Sequence, residues 1–84
     1  MNRYLILLIR LPHLDPAVLP LHLAFLDGLR ELCPDELSGG FSDKSGGAYL
    51  LHAADLAEAT AIAHSDPAHV SGGWHITVYE WLAS

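Results

Sequence analysis

The chain has 84 residues, which predicts one domain over residues 1–84, near the lower size at which a core forms without staples. Its formal net charge is −6, with Arg3, Arg10, Arg30 and Lys44 as its only Lys or Arg residues; that argues against nucleic acid and anionic membranes, which demand clustered cations. A single cysteine, Cys33, excludes an intrachain disulfide and fits a cytoplasmic setting.

Residues 3–11 read as a strand. Tyr4, Ile6 and Leu8 alternate with Leu5, Leu7 and Ile9, so both faces are apolar and both are expected to be covered. The run is too short to cross a bilayer, which takes about 20 residues. Arg10 ends it without a cleavage pattern, so no targeting segment is expected. Pro12, Asp15 and Pro16 form a loop. Pro20 suits the first position of a helix, which runs to about Cys33 and is stopped by Pro34. His22, Phe25, Leu26, Leu29, Leu32 and Cys33 fall on one face of it, and Asp27 and Glu31 face away. Cys33 is read as packing rather than as a catalytic thiol.

A short strand is expected over Glu36–Ser42, where Gly39-Gly40 suggests a bulge or a close backbone approach. Residues 42–47 read as a turn and residues 48–53 as a third strand. Asp55 caps a second helix, with Glu58 three residues on as in a capping box. Ala57, Ala59, Ala61 and Ala63 let that helix lie close to a sheet, and it ends at Asp66-Pro67. Gly72-Gly73 leads to a last strand, Trp74–Leu82, in which His75, Thr77, Tyr79 and Trp81 alternate with Ile76, Val78, Glu80 and Leu82.

The order is βαββαβ. Right-handed crossovers place both helices on the same side of the sheet. The expectation is an α+β, ferredoxin-like fold with a four-stranded antiparallel sheet. One sheet face is then left bare, and 51% of the chain is apolar. A homodimer or higher assembly, closing a dimeric α+β barrel, would cover that face. Ile76, Val78, Tyr79 and Trp81 are the interface candidates.

The pattern Pro20-Leu21-His22-Leu23, Gly39 or Gly40, the Ala57–Ala63 helix, Ser65-Asp66-Pro67, Ser71-Gly72 and the Trp74–Leu82 tail resembles the YciI-like (YCII-related) family over nearly the whole chain. The chain departs from that family after Asp66-Pro67, where Ala68 and His69 stand in place of an aromatic. The resemblance implies a dimeric α+β barrel and a His–Asp pair as the active site, carried here by His22 and Asp66.

Topology brings the same two residues together without the family. With the first strand running upward, the first helix starts at the top and the second ends there, so His22 and Asp66 are predicted neighbours. His13, His64, His69 and His75 belong to the same end, and only His52 lies at the other. Asp66 would accept from one imidazole nitrogen and fix the tautomer, leaving the other as general base or acid. Arg10, Ser65 and Gly40 are the candidate substrate-binding residues, with Arg10 suited to a carboxylate. His64-x-Asp66-x-x-His69 has zinc-type ligands, but Pro67 breaks the helix that would align them, and no metal site is expected. Tyr4, Tyr49, Tyr79, Trp74 and Trp81 are read mostly as core or dimer surface, with one or two lining a pocket for a ring-shaped ligand.

Two functions remain open. One is a small-molecule enzyme of lyase or isomerase type, acting on a small cyclic or carbonyl compound by His–Asp acid–base chemistry without an organic cofactor. The other is a non-catalytic ligand-binding or protein-interaction module of the same fold. They separate on whether His22 lines an open cleft or is enclosed in the core.

Overall fold

The computed structural model describes residues 2–12, 14–32 and 37–82, with the side chain of Leu32 excepted. His13, Cys33 and the expected strand start at Glu36 lie outside the described residues. The elements are β1 (Asn2–Arg10), a 3-10 turn (Pro16–Val18), α1 (Leu19–Leu32), β2 (Ser38–Gly40), β3 (Gly46–Ala53), α2 (Leu56–His64), α3 (Pro67–Val70) and β4 (Trp74–Glu80).

The strands form one antiparallel sheet in the order β2-β3-β1-β4. Each βαβ unit therefore straddles a strand of the other: β3 lies between β1 and β2, and β1 lies between β3 and β4. This is the ferredoxin-like α+β arrangement.

Register explains which side chains form the core. Ile6 stands opposite Tyr49 on one side and Val78 on the other, and Leu8 stands opposite Gly47 and Ile76. Cross-strand partners share a face. Tyr4, Ile6 and Leu8 are at most 3% exposed, whereas Leu5 and Leu7 are half-buried and Ile9 is exposed. The expected cover on both faces of β1 is thus a helix layer on one side and, among the described residues, nothing on the other. A fully enclosed Ile such as Ile6 contributes about 2 kcal/mol of transfer free energy.

The same register divides the interface candidates. Ile76 and Val78 point to the helix side and pack on the core. Tyr79 and Trp81 remain exposed, at 51% and 46%. They share the open sheet face with Leu5, Leu37 and Leu50, where Trp81, Leu5 and Leu50 border a shallow hollow.

The helix layer follows local capping rules. Asp15 opens the 3-10 turn by accepting from the Ala17 amide at 3.0 Å. Leu26 is buried, and Phe25 and Leu29 pack beside it. Asp55 caps α2 by accepting from the Glu58 amide at 2.8 Å. The Glu58 carboxylate reaches back to the Ala54 amide at 3.4 Å, one residue short of the usual capping-box partner. Ala59 and Ala63 have no exposure at all, so α2 lies as close to the sheet as a methyl group allows.

Three expectations are corrected. Pro67 does not simply break a helix; it stands at the first position of α3, a single turn capped by Asp66, where its missing N–H costs nothing. Gly46 and Gly47 belong to β3, not to the turn before it. The close backbone approach lies at these two glycines rather than at Gly39-Gly40. A Cβ on Gly46 would collide with the Leu8 carbonyl, and one on Gly47 would sit 2.6 Å from the Gly39 carbonyl oxygen, while Gly39 has open space.

Candidate functional site

His22 stands in the first turn of α1, and Asp66 at the junction of α2 and α3. The helix layer brings these two ends together. Nδ1 of His22 lies 2.8 Å from Oδ2 and 3.0 Å from Oδ1 of Asp66. The aspartate is completely buried, and its Oδ1 also accepts from the Ala68 amide at 2.8 Å. A carboxylate only accepts, so Nδ1–H of His22 donates and the neutral ring keeps Nε2 as its bare nitrogen.

His22 is not enclosed. Its side chain is 13% exposed and lines a cleft of about 180 Å³. For scale, an engineered apolar cavity of about 150 Å³ holds one benzene. The walls are apolar: Leu8, Leu19, Leu23 and Leu26, with Gly39, Gly40, Gly46 and Gly47 along the strand side. The absence of side chains at Gly40 and Gly47, paired across β2 and β3, leaves that side open. Trp74 stacks on the His22 ring at 5.9 Å between centroids and 27° between planes. The Trp74 face gives a flat, apolar wall beside the imidazole.

Of the predicted substrate-binding residues, Arg10 and Gly40 line the cleft. Arg10 pairs with Trp74 across β1 and β4, which puts it on the sheet face that carries the cleft. Ser65 does not line it. Its hydroxyl turns back to donate to the Ile62 carbonyl at 2.6 Å, closing the end of α2.

Among the described residues, His64, His69 and His75 of the upper end do not gather into one cluster with His22. His64 and His69 stack on each other with centroids 4.0 Å apart. His75 falls on the open sheet face opposite Ile9. Among the described residues, no three His, Cys, Asp or Glu side chains come together as metal ligands. Asp66 is instead engaged by His22.

Arg30 and Gly47 of the site escaped the sequence reading, as did the burial of the Tyr49 hydroxyl. Arg30 lines the cleft from α1, its guanidinium donating to Asp27 at 3.0 Å and to the Ser38 hydroxyl. Asp27 was assigned to the solvent side of the helix, and an Arg three residues later follows as its partner rather than as a site residue. Gly47 was hidden in an assumed turn. Tyr49 is among the aromatics expected mostly in the core or dimer surface, with one or two lining a pocket, and like Trp74 it lines the cleft. It is 2% exposed and meets Phe25 edge-on, but its hydroxyl is buried with no hydrogen-bond partner among the described residues. Burial first, and the Asp66 carboxylate second, push the Tyr49 phenol well above its ordinary range. It therefore stays protonated, and its residue borders the cleft.

Among the described residues, no helix is long and apolar enough to cross a membrane. The fold and the sequence have counterparts among known proteins. In solved structures the fold matches 5-chloro-2-hydroxyhydroquinone dehydrochlorinase of Burkholderia phenoliruptrix, in complex with 2,5-dihydroxybenzoquinone. The TM-score is 0.73 at 19% identity, covering 98% of this chain and 95% of that one. Among curated sequences, the uncharacterized protein YjpA of Bacillus subtilis is 38% identical over 81 residues, covering 96% of this chain and 95% of the relative. A family model for the YCII-related domain matches residues 3–82. The chain belongs to the YCII-related domain family.

Proposed function

We propose that the chain is a small-molecule enzyme in which His22 and Asp66 perform acid–base chemistry of lyase or isomerase type on a small ring compound bearing a carbonyl. One observation carries this reading: a buried carboxylate holds Nδ1 of His22 at 2.8 Å, while the same ring lines a cleft of one-ring size. A histidine that only filled the core would have no open cleft beside it. The fold neighbour adds support, since it is a dehydrochlorinase whose solved complex holds a dihydroxybenzoquinone.

The step follows from the geometry. Nε2 takes a proton from a carbon next to the carbonyl. The C–H pair becomes a C=C bond, and the carbonyl pair moves onto oxygen. Asp66 keeps the ring oriented and offsets the positive charge that forms on it. If the next carbon bears a leaving group, the enolate expels it as an anion and the reaction is an elimination. If Nε2–H returns the proton to a different carbon, the reaction is an isomerisation. No electrons enter or leave, and no organic cofactor is required. Trp74 supplies a flat surface for the ring.

The test needs no knowledge of the natural substrate. Proton–deuterium exchange at the ring carbons of 2,5-dihydroxybenzoquinone is followed by NMR in heavy water. A deuteron adds to the enol carbon to give a CHD group next to the carbonyl, and Nε2 then removes the proton from it. Exchange is expected to be faster with the protein, and to fall by about a hundredfold in His22→Ala, the lower range for a lost general base. Exchange that the protein does not accelerate, or that survives His22→Ala, would contradict the proposal.

The same reading includes a second copy of the chain on the open sheet face, a cytoplasmic setting and a single domain. Leu5, Leu50, Tyr79 and Trp81 make that face too apolar to stand alone in a small domain. Light scattering is expected to give the mass of a homodimer or higher. A stable monomer at micromolar concentration would remove the second copy.

A further inference from the structure

We propose that the cleft selects an anion: a small ring compound whose oxygen is ionised, held by the guanidiniums of Arg10 and Arg30. This rests on the acid–base reading and names the charge of its substrate.

The distribution of charge carries the inference. The chain has ten acidic residues and only four Lys and Arg. Two of those four, Arg10 and Arg30, line the single cleft that holds His22. No Asp or Glu is among the described residues lining it; of the carboxylates nearby, Asp66 is turned onto His22 and Asp27 is held in an exposed pair with Arg30. The other two cations lie elsewhere, Arg3 opposite His52 on the sheet and Lys44 in the turn after β2. At physiological salt, charges beyond about 8 Å are largely screened. Two guanidiniums in one cleft are a local concentration of positive charge in a chain of net charge −6, offset in part by Asp27 on Arg30 and by Asp66 on His22.

Both cations are placed by structure. Arg10 shares a sheet face with Trp74, which stacks on His22. Arg30 is tethered from α1 to β2 through the Ser38 hydroxyl. Its bond to Asp27 is exposed on both partners, and pairs of that kind are weak. A guanidinium carries five N–H donors, so donors remain for a ligand oxygen. In the proposed step, further negative charge grows on the carbonyl oxygen, and an arginine nearby stabilises that charge more than it does the uncharged carbonyl.

The experiment is calorimetric binding of two probes. One is 2,5-dihydroxybenzoquinone, whose vinylogous-acid hydroxyls are ionised at neutral pH; the other is its dimethyl ether, which cannot ionise. Wild type, Arg10→Gln, Arg30→Gln and the corresponding Lys variants are compared, with thermal melts to confirm folding. The anion is expected to bind wild type, and each Gln substitution to weaken it about tenfold, the value of one charge-assisted bond. Lys is expected to retain most of the affinity, and added salt to reduce it. The ether should be indifferent to all four substitutions. Anion binding that both Gln variants leave unchanged would overturn the proposal, as would a wild type that binds neither probe. Failure of the acid–base reading looks different: anion binding still depends on the arginines, but exchange at the ring carbons survives His22→Ala.

Discussion

Asp55 and Asp66 open their helices with the same bond. Each is an N-cap with extended backbone, and each accepts an amide at 2.8 Å through Oδ1: Asp55 from Glu58, Asp66 from Ala68. Asp55 is exposed, and capping is the whole of its role. Asp66 has no exposure, and a buried carboxylate is costly unless paired. Its pairing comes from His22, 44 positions away. Local sequence sets the cap in both places; only the meeting of α1 with the α2–α3 junction turns one of them into half of a dyad.

The largest expected effect separates the two directly. Asp66→Ala removes a cap and the charge-assisted hydrogen bond to His22 together and should cost roughly 3 kcal/mol. Asp55→Ala removes an exposed cap alone and should cost about 1 kcal/mol. Urea denaturation of the two variants measures the difference. Equal losses would mean that Asp66 is only a cap.

A smaller effect concerns how far each charge reaches. Asp66 raises the Tyr49 phenol by electrostatics, second to burial. Asp66→Asn should therefore lower the ionisation of Tyr49 part of the way toward the ordinary phenol value, and Asp55→Asn should leave it unchanged. An ultraviolet phenolate titration reads this out. The sign for stability follows. A group held protonated in the fold contributes fully below its unfolded pKa of about 10, and that contribution is lost as pH rises through the higher folded value.

Much of this was legible in the sequence because it is local. Alternation gave β1, Pro20 marked the first turn of α1, and Asp55 with Glu58 marked the start of α2. The element order then brought His22 to Asp66, since βαββαβ with one-sided helices leaves a single way to place those two ends. What failed was read with the right local rule in the wrong place. Asp66-Pro67 has the same cap-then-proline form as Asp15-Pro16, yet Pro67 was treated only as a breaker. Gly46-Gly47 looked like a turn, because nothing local shows that the Leu8 carbonyl passes so close. Tyr49 and Arg30 depended on tertiary packing. An aromatic expected in the core or a pocket is legible at Tyr49, but sequence does not say whether its hydroxyl finds a partner. Ser65 was grouped with Asp66 by adjacency, although the end of a helix gives its hydroxyl a carbonyl of its own.

The central claim is that Asp66 holds the proton of His22 on Nδ1 and leaves Nε2 for chemistry. Nitrogen-15 NMR of the imidazoles tests it without any ligand. In its neutral form, His22 should be the Nδ1–H tautomer, with the chemical shift of Nε2 in the range of an unprotonated nitrogen, and Asp66→Asn should disturb that preference while Asp55→Asn does not. A neutral His22 carrying its proton on Nε2 in the wild-type protein would contradict the account.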